Sequence, residues 1–214
     1  MSKFPNEPNS CNFFESDLDE KTSKKFCRSK TIAVDTEAMG LIHGRDRLCL
    51  VQICDEDDNV ACIRINANQD SAPNLKYLLE EESVDKVFHF ARFDVAALSN
   101  GLGINVNPIF CTKIASKIAR TYSPRHGLKE LVLELTGAEL DKSAQSSDWG
   151  KTEELSIKQL SYASNDVRYL IEIKNKLIIM LKREGRFKLA EKCFKCIPVI
   201  SELDIRRFTQ IFDH

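Results

Sequence analysis

Apolar runs mark four strands in the first half of the chain. Each run is rich in Val, Ile, Cys or Phe, as buried strands are. The runs cover residues 31–36, 48–54, 60–65 and 86–90. An acid-rich stretch, Asp55 to Asn59, separates the second run from the third and could bind a metal ion. Because Asp and Asn favour turns and the stretch lies between two strands, it predicts a hairpin.

Helical periodicity dominates the rest of the chain, with helix starts at Pro73 and Ser156. The predicted helices are 73–82, 92–100, 111–121, 127–136, 156–184 and 186–196. Residues 1–28 are predicted to be an N-terminal extension with a loose start followed by a short strand or helix, and the residues after 196 a tail. A meander of strands followed by alternating strands and helices predicts an α/β fold, a mixed β-sheet flanked by α-helices, in a single domain 1–214.

Two acids lie at the end of the first predicted strand. Asp35 and Glu37 are separated by one residue, so their side chains point to the same side of the strand. Two carboxylates aimed together repel each other unless a cation lies between them, and hard divalent cations prefer oxygen ligands. The alternative is a solvated strand end whose acids form ordinary ion pairs.

Two later positions add further acids. Asp94 falls in the first turn of the helix after 86–90, where the helix dipole alone also favours a carboxylate. Tyr162 and Asp166 lie four residues apart and share one face of the helix that begins at Ser156. A tyrosine beside an apolar stripe is commonly a core residue, whereas an acid close to buried surface needs a partner of opposite charge.

Composition and charge exclude several classes of protein. Hydrophobic residues make up 43% of the chain, charged residues 29%, and the net charge is −1, which excludes a globally basic nucleic-acid binder. No apolar run approaches the length of a membrane helix, and no signal-peptide core follows Met1. Eight cysteines, several of them inside apolar strands, favour a reducing, cytoplasmic location. Cys193 and Cys196 have no second pair nearby, which argues against a structural zinc site.

The acids and their spacing resemble the DEDD (DnaQ-like) superfamily of 3′-5′ exonucleases, in its tyrosine branch, and within it ribonuclease D. The superfamily's motifs are similar to Asp35-Thr36-Glu37, to Asp94 following His89, and to Tyr162 with Asp166. Stretches similar to ribonuclease D are 33–37, 111–113, 126–131, 147–149 and 162–167. The resemblance covers residues 30–175 and implies a ribonuclease H-like fold. The helical C-terminal nucleic-acid-binding domains of ribonuclease D have no counterpart before His214, so substrate preferences that depend on them do not carry over.

The resemblance also implies an activity and a role for each motif residue. It implies a 3′-5′ exonuclease that uses two divalent ions, Mg²⁺ or Mn²⁺, to hydrolyse nucleic acid, RNA in preference, from a free 3′ end and release 5′-mononucleotides. The implied catalytic carboxylates, which are also the metal ligands, are Asp35, Glu37, Asp94 and Asp166. Tyr162, also implied to be catalytic, would hold the attacking water. The turn Met39-Gly40-Leu41 would grip the terminal nucleotide, although a plain turn also explains Gly40.

A basic segment is the predicted path of the nucleic acid. Residues 111–129 contain several Lys and Arg residues and no acid, and phosphate contacts dominate nucleic-acid affinity. A solvated helical face is the alternative. The predicted substrate contacts in the segment are Lys113, Arg120, His126 and Lys129. Trp149 could stack on a base or cover the core, and the core role is preferred.

Three other functions fit parts of this pattern. The first is a 3′-5′ exonuclease acting on DNA, because RNA and DNA are distinguished by contacts to the 2′ hydroxyl. A non-catalytic nucleic-acid-binding module is the second, and it would be expected to have lost metal ligands that are all present here. The third is a phosphatase for small esters, against which the basic segment argues. The pattern indicates no membrane contact and identifies no protein partner.

Overall fold

A computed structural model describes residues 11–140, 147–150, 155–208 and 211. Its strands are β1 (Asn12–Glu15), β2 (Thr31–Ala38), β3 (Leu48–Asp55), β4 (Val60–Arg64), β5 (Asp85–Phe88) and β6 (Ile109–Cys111). They form one mixed sheet in the order β1-β4-β3-β2-β5-β6. Strand β3 is antiparallel to both of its neighbours, β2 and β4. Strand β1 runs parallel to β4, and β5 and β6 continue the sheet in parallel beside β2.

Helices flank this sheet. In chain order they are α1 (Glu20–Phe26), α2 (Pro73–Glu80), α3 (Ala91–Leu102), α4 (Thr112–Ala119), α5 (Leu128–Thr136), α6 (Ile157–Arg168), α7 (Leu170–Arg183), α8 (Phe187–Lys195) and α9 (Ile197–Ile205). Helix α6 packs on β2, β3 and β4, while α3 packs on the strands around β2 and against α9. Every residue of β3 is buried, which explains the continuous apolar run at the centre of the sheet. The predicted mixed sheet flanked by helices is confirmed.

The acid-rich stretch after β3 is a hairpin turn, as predicted. A carboxylate oxygen of Asp55 accepts hydrogen bonds from the backbone N–H groups of Asp57 and Asn59 at 3.0 and 2.9 Å. The carboxylate of Asp55 therefore closes the turn between β3 and β4 through these hydrogen bonds. In the described ranges, none of the helices combines the length and the apolar character needed to cross a bilayer.

The structure corrects the predicted elements in the C-terminal part of the chain. The predicted helix 156–184 is two helices, α6 and α7, that meet at Tyr169. The predicted tail contains α9, whose first four residues, Ile197-Pro198-Val199-Ile200, are all apolar. This start therefore lacks the alternation of apolar and polar positions that marks an ordinary surface helix. In the predicted extension, the expected short strand or helix is confirmed by β1 and α1, and β1 is an edge strand of the sheet. The predicted loose start at residues 1–10 lies outside the described residues.

Candidate active site

Three carboxylates converge where β2 faces α6. Asp35 and Glu37 alternate with Thr36 on β2, so both point toward α6, which carries Asp166. Each of the three offers a carboxylate oxygen, and these oxygens lie within 4.8 Å of one another. In the part of the chain that the structure describes, no other group of three His, Cys, Asp or Glu side chains comes this close. An oxygen-only ligand set fits a hard divalent cation such as Mg²⁺ or Mn²⁺.

Tyr162 lies beside these carboxylates. It is one helical turn before Asp166 on α6, a helix that begins with a full capping box at Ser156 and Gln159. Burial, and then the negative charge and hydrogen bond of Asp166, raise the pKa of the Tyr162 phenol far above its usual range. The phenol therefore keeps its proton near neutral pH and can orient a water molecule, but it cannot act as a free base.

Trp149 lies next to the ring of Tyr162. Its indole ring is buried, and the two ring centroids are 6.2 Å apart. The preferred core role of Trp149 is therefore confirmed, although the ring also forms part of the wall beside the carboxylates.

Asp94 does not join the carboxylate group. It is buried on α3, and the hydroxyl of Thr36 donates a hydrogen bond to its Oδ1 at 2.7 Å. Burial raises the pKa of Asp94 to about 7, and the bond from Thr36 only partly offsets this effect. Its predicted role as a metal ligand stays a prediction.

An open cavity of about 600 Å³ lies over the carboxylates. Asp35, Glu37, Tyr162 and Asp166 line it together with Met39, Gly40, Leu41, Phe90, Lys113 and Trp149. The turn residues Met39 and Leu41 are largely exposed, with 80% of Leu41 accessible. Four of the predicted substrate contacts, the three turn residues and Lys113, thus border the same space as the carboxylates.

Gly40 has a steric reason to be glycine. A Cβ atom at this position would lie 2.3 Å from Oδ2 of Asp46. That carboxylate closes the turn, since it accepts a hydrogen bond from the backbone N–H of Ile42 at 3.0 Å and is paired with Arg45. Gly40 therefore lets the turn fold tightly beside the cavity.

The structure contradicts the predicted substrate contact of Arg120. Its side chain is fully buried, and the guanidinium donates to Glu134, to Oγ of Ser116 at 2.9 Å and to the carbonyl of Arg125 at 2.7 Å. Arg120 therefore ties α4 to α5 and the loop between them. The alternating charge and apolar pattern of the basic segment gave no sign that this arginine points inward.

The other two predicted contacts of the basic segment lie outside the cavity lining. His126 is half-buried, with Nδ1 2.8 Å from Oγ of Ser116. Burial, and then nearby Arg120, lower the pKa of His126, so the ring is neutral near pH 7. Lys129 is exposed on α5. Contact of these two residues with substrate stays a prediction.

Phe90 is a cavity residue that sequence reasoning missed. It precedes α3 in the left-handed region at φ 68°, which is unusual for an aromatic residue, and its ring is half-exposed. The Lys113 ammonium lies 4.2 Å from the ring centroid. The sequence did offer a signal for this residue, because Phe90 is an aromatic residue placed between a predicted buried strand and a predicted helix.

The sequence model of a protein family described as 3′-5′ exonuclease matches residues 12–182 of the chain. The chain belongs to this 3′-5′ exonuclease family. Ribonuclease D of Sphingobium indicum is 37% identical over 172 residues, which are 78% of the chain and 44% of that relative. The chain therefore spans about half the length of the curated relatives it matches.

Solved structures extend the comparison. Brucella melitensis NrnC bound to pGG is 47% identical, with a TM-score of 0.89 over 95% of this chain and 98% of that one. The same protein with bound Mg²⁺ is 46% identical, with a TM-score of 0.88. Escherichia coli RNase D shares the fold, with a TM-score of 0.77 at 24% identity over 88% of this chain and 50% of that one. The predicted family and its ribonuclease H-like fold are thus confirmed.

Proposed function

We propose that this exonuclease is a metal-dependent 3′-5′ exoribonuclease that removes 5′-mononucleotides from the free 3′ end of short RNA. The observation that carries the proposal is the group formed by Asp35, Glu37 and Asp166 beside Tyr162 on the floor of an open cavity. Three clustered carboxylates beside a tyrosine in this cavity fit hydrolysis better than simple binding, because a protein that only binds nucleic acid does not need clustered carboxylates.

The proposed cofactors are two divalent ions, Mg²⁺ or Mn²⁺. The three converging carboxylates suit such ions, and Mg²⁺ is bound in a structure of Brucella melitensis NrnC. Two ions about 4 Å apart stabilise both the attacking and the leaving oxygen of a phosphodiester. Asp94 is included as the fourth ligand because it follows the motif order of the family.

The chain's own residues supply orientation and grip. The protonated phenol of Tyr162 orients the attacking water, since its pKa is raised far above neutrality. The exposed turn Met39-Gly40-Leu41 holds the terminal nucleotide against the carboxylates. Lys113, which borders the same cavity, neutralises a backbone phosphate, and Lys129 and His126 continue this path beyond the cavity.

A short RNA is the proposed substrate. The cavity volume of about 600 Å³ lies within the range of about 300–1,000 Å³ that pockets for small ligands occupy. NrnC of Brucella melitensis, which matches this chain over nearly its whole length, binds pGG, a ligand of two nucleotides.

The free state of all eight cysteines supports the proposed cytoplasmic location.

Degradation of matched strands tests this function. A two-nucleotide RNA, a longer RNA and the corresponding DNA strands, each labelled at the 5′ end, are incubated with Mg²⁺, Mn²⁺ or excess chelator. We expect stepwise shortening from the 3′ end of RNA, release of 5′-mononucleotides, and no reaction in chelator or with a blocked 3′ end. Faster cleavage of DNA would favour a deoxyribonuclease, cleavage of a nitrophenyl phosphodiester alone would favour a phosphatase, and binding without cleavage would favour a non-catalytic module.

A further inference from the structure

Gln52 is a buried amide at the centre of the sheet. Its side chain on β3 is fully inaccessible to solvent. Among the described residues, neither Oε1 nor Nε2 of Gln52 has a hydrogen-bond partner. Leaving a buried polar group unpaired costs about 1–3 kcal/mol, so such a residue calls for an explanation.

The strand register places Gln52 directly beside a proposed metal ligand. In the antiparallel pair of β2 and β3, Gln52 lies opposite Asp35, and on β4 its partner is Cys62. Directly opposite residues of an antiparallel pair project to the same face, with Cβ atoms about 4.5–5.5 Å apart. Asp35, Gln52 and Cys62 therefore form one row across three strands.

Helix α6 covers this row. Oγ of Ser164 on α6 lies 3.8 Å from Sγ of Cys62, at the far end of the row from Asp35. The Ser164 hydroxyl already donates to the carbonyl of Leu160 at 2.6 Å. Gln52 is thus enclosed between the strand that carries Asp35 and the helix that carries Asp166. The carboxylate of Asp35 is the strongest acceptor in the row, so it is the natural partner for the amide.

We infer that Gln52 is a positioning residue for Asp35. When the carboxylate of Asp35 turns to bind a cation, the Nε2–H of Gln52 is the donor placed to hold its other oxygen, directly or through one water. Residues that hold a metal ligand in this way restrict its rotation and thereby raise metal affinity. The inference rests on the proposed function, since it requires Asp35 to bind the metal ion.

Replacement of Gln52 by methionine separates this role from mere packing. Gln52→Met keeps the length of the side chain and removes both polar atoms. Calorimetry measures Mn²⁺ affinity, and thermal unfolding in chelator measures the stability of the metal-free protein. We expect an unchanged or higher melting temperature, because an unpaired buried amide is gone. We expect Mn²⁺ affinity to fall by about 10-fold or more, as for other residues that hold metal ligands.

Ile53→Met is the matched control. Ile53 is the next residue on β3, is equally buried, and points to the opposite face. Its replacement should leave Mn²⁺ affinity unchanged while reporting the cost of a methionine in this strand. Wild-type affinity in Gln52→Met would overturn the role of Gln52 and leave the proposed metal site intact. Failure of the wild-type protein to bind Mn²⁺ would overturn the metal site, and the inference with it.

A measurement on the unmodified protein covers the case in which Gln52→Met does not fold. Titration of ¹⁵N-labelled wild-type protein with Mg²⁺ follows the side-chain amide resonance of Gln52 by NMR. The expected result is a shift that saturates with the Mg²⁺ affinity measured by calorimetry. A resonance that does not move on Mg²⁺ saturation would overturn the inference.

Discussion

The hydroxyl of Thr36 donates a hydrogen bond to the carboxylate of Asp94 across 2.7 Å. Thr36 lies between Asp35 and Glu37 on β2, so its side chain points to the opposite face of the sheet. Asp94 is therefore held on the α3 side of β2, while Asp166 approaches from the α6 side. The family motifs predict four carboxylate ligands, and three of them, Asp35, Glu37 and Asp166, converge, whereas Asp94 is bound to Thr36.

Asp94 should make the metal-free protein less stable as pH rises. Its pKa is raised by burial to about 7, against an ordinary value of 3.8, so the folded state binds its proton more tightly than the unfolded state. The stability contributed by this proton is complete below about pH 4 and is lost as pH rises through about 7. Asp94→Asn should remove this pH dependence, as measured by thermal unfolding in chelator.

Glu82→Gln provides the control for that series, because Glu82 is exposed on the surface. It should follow the wild-type pH dependence. An Asp94→Asn protein whose stability still falls between pH 4 and pH 8 as steeply as that of the wild type would show that Asp94 does not carry a raised pKa.

Asp166→Asn and Tyr162→Phe should fail in different ways. An amide in place of the Asp166 carboxylate removes a proposed ligand and should weaken Mn²⁺ binding in calorimetry. Loss of the Tyr162 hydroxyl should reduce the single-turnover rate by about 10²–10⁴-fold while metal and RNA affinity stay near wild type. Wild-type turnover by Tyr162→Phe would mean that this ring only packs against Trp149.

Strong local patterns made the central elements predictable. The run Leu48–Asp55 is buried on both faces, so its apolar character identified β3 without any knowledge of its neighbours. Asp35 and Glu37 were predictable for the same reason, since alternation along one strand decides where they point. The group they form with Asp166 depends on how α6 packs, and the family motifs supplied that connection.

Arg120 and β6 show what local patterns cannot provide. Arg120 has the same charge as its neighbours in the basic segment, and only the packing of α4 against α5 turns it inward toward Glu134. Strand β6 has three residues, too few for a periodic signal, and it exists because β5 offers it a parallel edge. In both cases the decisive contact is distant in the sequence.

Charge removal should therefore act differently along the basic segment. Lys113→Ala and Lys129→Ala together should weaken RNA binding and flatten its dependence on salt, with little change in stability, because each lysine is predicted to contact a phosphate. Arg120→Ala should instead lower the free energy of unfolding by about 2 kcal/mol, because it leaves buried hydrogen-bonding groups without their donor. Fluorescence anisotropy over a salt series and denaturant unfolding measure the two effects.

An unchanged salt slope in the double lysine variant would leave the segment as a solvated face. Lys182→Ala serves as the control for removal of a surface lysine, since Lys182 is exposed on α7, outside the basic segment. It should leave both RNA affinity and the salt slope unchanged.

Gly40→Ala should damage substrate binding and leave the metal site intact. The added Cβ would lie 2.3 Å from the carboxylate of Asp46, so Asp46 or the turn at Met39 must move. Because the turn borders the cavity, we expect KM for a short RNA to rise by about 10-fold, while Mn²⁺ affinity stays at the wild-type value. Gly101→Ala is the matched control, since the added Cβ on α3 would make an ordinary contact with Leu48 of β3 at 3.4 Å. If Gly40→Ala retains the wild-type KM, the turn beside the cavity does not hold the terminal nucleotide.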